Sequence, residues 1–414
     1  MKRYGITVGL VLFLTIGLAT YYIYNASDRL PDFRLVAAEG DPAIGNVIEL
    51  DGTYGGRWRS EFLEVTSSGS EYASDRSLWR QEIANARSWF REQPGIRELI
   101  EAHRGFMRGK SDVYGFYRDE ETVAYVEAAS NPTEREIAVR LETLDRRDGR
   151  MASWERRVAL DAAASHVSVL DVQRFGSELR VVVERGKPTA PGAKGRVDVP
   201  AREVFDLAFD WATGEPLRQS AVFGSAAFPP DVDAYGEVVG ASDPTAPSEY
   251  LTYRSIEGAS VPQEAGEGDP KAPRETERLF VYHYRTGSVT ELSRRELSPD
   301  AQYEAQYETR GDHLARTWLE GGRVTIERFD LAGGTDAGRL DIGAADLGIE
   351  AILDTVLRDG RLYVLYTENR APAVAALDAS TGAPVYRGLV VAANESPEAE
   401  REARWLHLTN VNVR

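Results

Sequence analysis

An all-β fold is predicted, built from repeated four-stranded antiparallel sheets behind one apolar N-terminal helix. Three observations predict it. Short runs rich in β-branched and aromatic residues recur through most of the chain, separated by Gly-containing hairpin signals. The runs repeat at a fixed spacing, with Asp330 standing 48 residues before Asp378 and the Thr286-Gly287 turn 95 residues, about two such spacings, before Thr381-Gly382. Residues 4–24 form a stretch of 21 residues without a charge, preceded by Lys2 and Arg3. Four-stranded units of this size, in about the number needed to close a ring, are the signature of a β-propeller.

Taken in order, residues 1–3 are expected as a cytoplasmic stub and 4–24 as a transmembrane helix. At 1.5 Å per residue the stretch reaches about 31 Å, the thickness of a bilayer's hydrocarbon core. The basic pair on its N-terminal side places the rest of the chain outside the cell. A cleaved signal peptide is the alternative, with Gly17-Leu18-Ala19 as the processing site. Cleavage there would leave Tyr21, Tyr22, Ile23 and Tyr24 as an apolar new terminus, whereas tyrosines suit the headgroup boundary of a retained span. Residues 25–45 are expected as a linker arm and 46–414 as the extracytoplasmic propeller.

Within that body, Val47 to Leu50 and Glu61 to Thr66 read as strands. Asp75 to Glu92 departs from the pattern, because Leu78, Trp79, Ile83, Ala86, Trp89 and Phe90 recur at helical spacing. Pro94-Gly95 stops it and Ile96 to Met107 resumes. A helical pair inserted at 75–107 is therefore expected, as a lid on one propeller face or as a docking surface. Five sheet-like units follow, at 112–157, 166–223, 250–297, 302–342 and 352–390. Two are stretched by insertions, Gly186 to Pro200 and Glu257 to Pro273, whose prolines and glycines mark them as loops between paired strands. Trp405 to Val413 alternates like a strand. Pairing it with the first strands of the body makes a sixth blade and leaves no free edge in the ring. Six blades are expected, with seven the alternative.

The run Leu377-Asp378-Ala379-Ser380-Thr381-Gly382, followed by Pro384-Val385-Tyr386-Arg387, resembles the outer-strand turn of blades in the quinoprotein-like propeller superfamily. Gly supplies the positive φ such a turn needs, and its polar neighbours face water. The resemblance implies a fold and no activity.

Composition bounds the function. The chain's formal charge of −17 becomes −19 once Lys2 and Arg3 are set aside. Such a surface opposes nucleic acid and anionic headgroups and favours cationic partners or divalent ions. There are no cysteines, so disulfides, thiolate metal sites and a Cys nucleophile are excluded. An exported body without disulfides, in a chain that uses Arg far more than Lys, fits a bacterial cell envelope.

No reaction centre is legible. His103, His166, His283, His313 and His407 include no pair within four residues, so no zinc site follows from spacing. Asp231-Val232-Asp233-Ala234-Tyr235-Gly236-Glu237 offers alternating oxygen ligands but lacks the spacing and terminal Glu of an EF-hand, and reads as an acidic connecting loop or a metal loop. Arg310-Gly311-Asp312 reads as the turn equivalent to Arg358-Asp359-Gly360 rather than as an adhesion signal. No nucleophile elbow and no phosphate-cradling glycine loop occurs. Catalytic and cofactor-binding residues are thus expected to be none, and metal binding stays undecided. The expectation is a membrane-anchored binding or regulatory scaffold that meets an envelope protein or a ligand, with no nucleic acid. The alternative is an anchored propeller enzyme acting on a glycan or small molecule at the central mouth. Convergent Asp, Glu, His or Arg side chains at that mouth separate the two.

Overall fold

A computed structural model describes residues 13–20, 30–55, 60–75, 90, 93–131, 135–161, 163–186, 202–223, 233–241, 243–258, 275–297, 305–393, 401 and 403–413. Strands dominate, and they form six antiparallel sheets in a propeller-like all-β fold. Blade 1 joins the two ends of the body: β2 (Ile48–Gly55), β3 (Ser60–Thr66) and β4 (Gly69–Tyr72) are completed by β25 (Leu406–Val413), with Ile48 opposite Val413. Blade 2 is β5 (Phe116–Arg118), β6 (Thr122–Ser130), β7 (Glu136–Asp145) and β8 (Met151–Ala159). Blade 3 is β9 (His166–Phe175), β10 (Glu178–Gly186), β11 (Arg202–Asp210) and β12 (Pro216–Phe223). Blade 4 holds β13 (Asp233–Val238), β14 (Tyr250–Gly258), β15 (Thr276–His283) and β16 (Val289–Glu296). Blade 5 holds β17 (Gln306–Arg310), β18 (His313–Glu320), β19 (Arg323–Asp330) and β20 (Thr335–Gly343). Blade 6 is β21 (Ile352–Arg358), β22 (Arg361–Glu368), β23 (Ala371–Asp378) and β24 (Pro384–Ala392). The terminal sixth blade expected from the alternation of 405–413 is therefore present.

Burial tells inner from outer strands. β10 and β22 are buried nearly throughout, as strands covered on both faces must be, while β8, β12 and β16 are largely exposed. Period-two alternation then packs each sheet on the next. Ala124 and Val126 meet Val169 and Val172 across blades 2 and 3. Phe223 stacks on Tyr253 at 4.8 Å between blades 3 and 4. Leu279 and Val281 meet Leu314 and Phe329, Val324 and Ile326 meet Leu362 and Val364, and Leu365 and Val374 meet Leu50, Val65 and Leu408. Five junctions are thus sheet on sheet.

The remaining junction differs. Phe116, Val123 and Tyr125, on the face of blade 2 turned away from blade 3, are covered by Ile96, Leu99, Phe106 and Met107. These come from two short helices, Pro94–Ala102 and Arg104–Met107, which break at His103. The face of blade 1 turned away from blade 6 carries Glu49, Asp51, Thr53 and Glu64, all half-buried. The described helices form a layer against one blade, because their apolar face needs an apolar sheet. Nearly all of the expected first helix, Asp75 to Glu92, lies outside the described residues.

The repeated turn is the fold's best-marked feature. The amide of Gly149, Gly214, Gly287 or Gly382 donates to the carbonyl four residues earlier, on Asp145, Asp210, His283 or Asp378, at 2.8 to 2.9 Å. The Asp378 carboxylate accepts from the amides of Ser380 and Thr381, both at 2.9 Å, and Asp210 does the same for Ala212 and Thr213 at 3.1 and 2.9 Å. Gly214 has φ +66° and a Cβ there would lie 2.7 Å from the Trp154 ring, so the turn also seats against blade 2. Arg310-Gly311-Asp312 and Arg358-Asp359-Gly360 both join the first and second strands of their blades, as the repeat predicts.

Two expectations need correction, and a third falls largely outside the described residues. The linker arm 25–45 contains β1 (Phe33–Gly40), a fifth strand on the outer edge of blade 6, and a short helix at Pro42–Gly45. Phe33 and Leu35 alternate inward and give the segment a buried side to pair with. The acidic run 231–237 is not a loop from residue 233 onward, because it supplies β13, the first strand of blade 4. Of the expected span 4–24 only 13–20 is described; it is helical, with Phe13, Leu14, Ile16 and Leu18 exposed. No described helix is long and apolar enough to cross a membrane. The two Pro/Gly-rich insertions fall between strands that pair without a break at Gly186–Arg202 and Glu257–Thr276; apart from their flanks they lie outside the described residues.

Candidate functional site

The inner edge strand of each blade, β25 in blade 1 and the first strand in the others, has backbone groups that no neighbouring strand can satisfy. Side chains of adjacent blades satisfy them instead. Gln306 of blade 5 donates to the Thr355 carbonyl at 2.6 Å and accepts from the Leu357 amide at 3.0 Å. Glu308 accepts from the amides of Asp359 and Gly360. Asp354 of blade 6 accepts from the Val411 amide of blade 1 at 2.8 Å. These contacts tie the inner edge strands together around an axis.

Blade 4 adds a long connection. The turns between first and second strands of blades 5 and 6 are tight, but residues 239–249 separate β13 from β14. This loop reaches blade 5 through the Thr309 amide, which donates to the Gly240 carbonyl at 2.6 Å. It reaches blade 2 through Arg118, whose amide donates to the Thr245 carbonyl at 2.7 Å and whose guanidinium donates to Asp243 at 2.8 Å. It meets blade 3 through Gln173, which accepts from the Ser248 amide at 2.8 Å and donates to the Ala246 carbonyl at 3.3 Å.

Between this loop and the strands lies a cavity of about 280 Å³, with walls from blades 2, 3, 4 and 5. Tyr114, Leu170, Pro244, Pro247 and Tyr250 give it apolar and aromatic surface, and Asp171, Asp243, Glu249 and Asp312 give it carboxylates. Asp243 is held by Arg118 and by Thr245, and Glu249 by Arg285 at 2.6 Å. Asp312 is exposed at the rim and hydrogen-bonds Tyr250. Asp171 is 8% exposed and accepts from the Tyr284 hydroxyl and from Gln173 Nε2 at 3.2 and 3.3 Å. Burial pushes its carboxyl up to about 6, although Tyr284 and Gln173 both favour the charged form. Tyr284 is raised well above the usual tyrosine value, first by burial and then by Asp171.

Larger grooves lie elsewhere. One of about 610 Å³ runs along the outside of blade 6 past Glu39, Tyr366 and Arg387, where Arg387 is committed to Glu368 and Tyr366. The axial cavity is singled out because four blades converge on it and a buried carboxyl forms part of its wall.

The histidines are scattered. His103 ends a helix, His166 opens β9 at 3.8 Å from Glu184, and His283 closes β15 against the Tyr250 ring at 5.0 Å. His313 and His407 are exposed on β18 and β25. Among the described residues the one group of three acidic or histidine side chains close enough for a metal is Glu49, Asp51 and Glu64, on blade 1 and away from the axis. No sequence signal marked Asp171 or the 239–249 loop, beyond Gly240, Pro244 and Pro247 as turn formers.

No family model matches the chain, and no curated protein matches it. Among solved structures it is similar to a variant of the Synechocystis apocarotenoid oxygenase, with 11% identity over 65% of this chain and 58% of that one and a TM-score of 0.31. It is similar to the Trypanosoma rangeli sialidase, with 11% identity over 64% of this chain and 46% of that one and a TM-score of 0.31. Oligopeptidase B from Leishmania major matches with 11% identity over 82% of this chain, 40% of its own, and a TM-score of 0.35. The chain therefore spans little more than half the length of the first of these and less of the other two. Likeness at this level carries no argument about activity, and the fold assignment rests on the six sheets themselves.

Proposed function

We infer that the chain is a binding or regulatory module at the cell envelope, held to the membrane through residues 4–24, with the axial mouth as its recognition surface. The observation that carries the reading is the commitment of the mouth's carboxylates. Asp243 and Glu249 are paired with arginines, Asp171 is held by Tyr284 and Gln173, and no group of three acidic or histidine side chains gathers there among the described residues. A hydrolase or lyase needs two placed groups acting on one bond; a recognition site needs walls and a few fixed charges. The charge-free stretch beside Lys2 and Arg3 supports the anchor, and the turn at 377–382 supports quinoprotein-like blades. An envelope protein or a small ligand is the partner class.

Fractionation tests the anchor. The full chain is expected in the membrane pellet after an alkaline wash, with the body cut by protease added from outside, and a chain lacking residues 1–25 in the soluble fraction. A full chain that washes off the membrane overturns the reading. The enzyme alternative is served by Asp171 as a general acid, and turnover of a glycan or small molecule that disappears in Asp171→Asn would replace the scaffold reading with it.

A further inference from the structure

Five carboxylates are buried among the described residues: Asp171, Glu184, Asp206, Glu277 and Glu308. Three are paired with arginines. Glu184 pairs with Arg202 at 2.9 Å, Asp206 with Arg180, and Glu277 with Arg254, Arg295 and Arg316. Glu308 accepts two backbone amides. Asp171, like Glu308, has only neutral donors, among them one hydroxyl and one side-chain amide, and of the two only Asp171 lines the axial cavity. The arginine nearest to it through Tyr284 is Arg180, whose guanidinium is spent on Asp206, the Tyr282 hydroxyl and the Tyr284 carbonyl.

An ionised carboxylate has about four acceptor positions, so the Tyr284 hydroxyl, the Gln173 amide and the Val172 backbone amide still leave capacity on Asp171. Keeping such a group buried without a counter-charge costs several kcal/mol. Asp171 forms part of the cavity wall. We propose that the axial cavity binds an organic cation, a primary ammonium or guanidinium group on a slender apolar stem, with Asp171 as the counter-charge on its inner wall. The proposal rests on reading the axial mouth as the recognition surface.

The other walls fit the same ligand. Leu170, Pro244 and Pro247 suit an aliphatic stem, and the Tyr114 and Tyr250 rings offer π faces of the kind that attract cations. Asp312 adds a second negative charge at the exposed rim, and a net charge of −17 draws cations toward the molecule. A divalent metal fits less well, since it needs six or more oxygen ligands drawn close together. The chain's one close carboxylate group among the described residues lies on blade 1. The volume of about 280 Å³ admits a small amine or a single Lys or Arg side chain. With its carboxyl pushed up to about 6 by burial, Asp171 carries its charge at neutral pH and loses it in mild acid. The titratable groups facing the cavity with it are Asp243, Glu249, Asp312, Tyr114, Tyr250 and Tyr284.

Calorimetry on the full chain in detergent tests this at pH 7.5, with n-butylammonium and n-butylguanidinium as probes, n-butanol as the uncharged control and acetyl-Ala-Lys-Ala-amide as the peptide probe. The two cations are expected to bind saturably in the millimolar range and n-butanol not at all. Asp171→Asn is expected to weaken binding by about tenfold or more, as loss of a charged hydrogen bond does. Because Asp171 is buried, Asp312→Asn at the exposed rim serves as the second variant, expected to weaken binding by about two- to fivefold through loss of a partly screened charge. A peptide that binds more tightly than n-butylammonium assigns the cation to a partner's basic side chain; a weaker one assigns it to a free amine. Equal binding of n-butanol, no saturation by either cation, or full affinity in a folded Asp171→Asn overturns the proposal. Fractionation with the membrane is unaffected by any of these results, so failure of the cation site and failure of the envelope reading are told apart.

Discussion

Two buried carboxylates, at opposite sides of blade 4, are handled in opposite ways. Glu277 is 0% exposed and accepts from Arg316 and from the Tyr307 hydroxyl at 3.1 Å, with Arg254 and Arg295 each 3.3 Å away. Arg254 continues to Glu237 and Arg316 to Glu327, so one network crosses β13 through β19. Trp318 lies under Arg295, Arg316 and Arg339, at 4.4, 5.4 and 5.7 Å, and seals its outer side. Asp171 has a hydroxyl, an amide and a cavity. Burial pushes both carboxyls up; at Glu277, Arg316, Arg295 and Arg254 more than reverse it and hold the group below its usual value. Burial alone therefore does not set the charge. A carboxylate saturated by guanidinium groups is a fastener between blades, and one left to neutral donors beside a cavity stays open to a ligand.

The largest expected effect comes from breaking the saturated side. Glu277→Ala leaves two buried guanidinium groups, Arg254 and Arg316, and the half-buried Arg295 without their shared partner and should cost about 3–5 kcal/mol in urea unfolding. A loss below about 1 kcal/mol would show that the arginines repair the network with Glu237 and Glu327, and the contrast would fall. Tyr284→Phe acts on the open side: losing a hydroxyl donor to a charged group should cost about 1.5–3 kcal/mol. It should also move the Asp171 titration, followed by carboxyl-carbon NMR, above 6. An unchanged titration would mean that Tyr284 does not set the charge.

The pH dependence separates the two groups by sign. Glu277 has a depressed folded value, so its contribution is complete above its unfolded value and is lost as pH falls through the folded one. Asp171 has a raised folded value, so its contribution is complete below 3.8 and is lost as pH rises through about 6. Stability should carry a downward component of about 1–3 kcal/mol between those limits, absent in Asp171→Asn. If the variant keeps the same slope, another group is responsible. The smallest effect is Tyr307→Phe, about 0.5–1.5 kcal/mol for one hydrogen bond, with little change in pH profile because three arginines remain on Glu277.

The architecture was legible wherever local chemistry repeats. Asp378 with Thr381 and Gly382, and Asp210 with Thr213 and Gly214, are complete turns within five residues, so their recurrence counts blades without knowledge of packing. The alternation of Leu406, Leu408 and Val411 likewise exposed the closing strand. What failed was strand material without that signature. The first strand of blade 4 is Asp-Ala-Tyr-Gly-Glu-Val, too polar and too poor in β-branched residues to read as a strand. Phe33 and Leu35 do alternate, but they sit in a stretch that looked like a tether. Asp171 was invisible for a different reason. It is one of 66 acidic residues, and it is singled out only by Tyr284, 113 positions away, and by a loop from the next blade.

The N-terminal strand carries a mechanical consequence. β1 pairs with β24 from Phe33 opposite Ala392 to Gly40 opposite Tyr386, while the chain continues into blade 1. Asp32 accepts from the Ser70 amide and hydroxyl at 3.0 and 2.9 Å, and its own carbonyl accepts from the Ala393 amide at 2.7 Å. Tension applied at residue 30 along the strand is therefore borne in shear by a whole ladder of backbone bonds at once rather than peeled one bond at a time. The load enters the ring where blades 6 and 1 are already laced by β25 running the other way. A pull on the leading end tightens against the same seam that the trailing end holds closed.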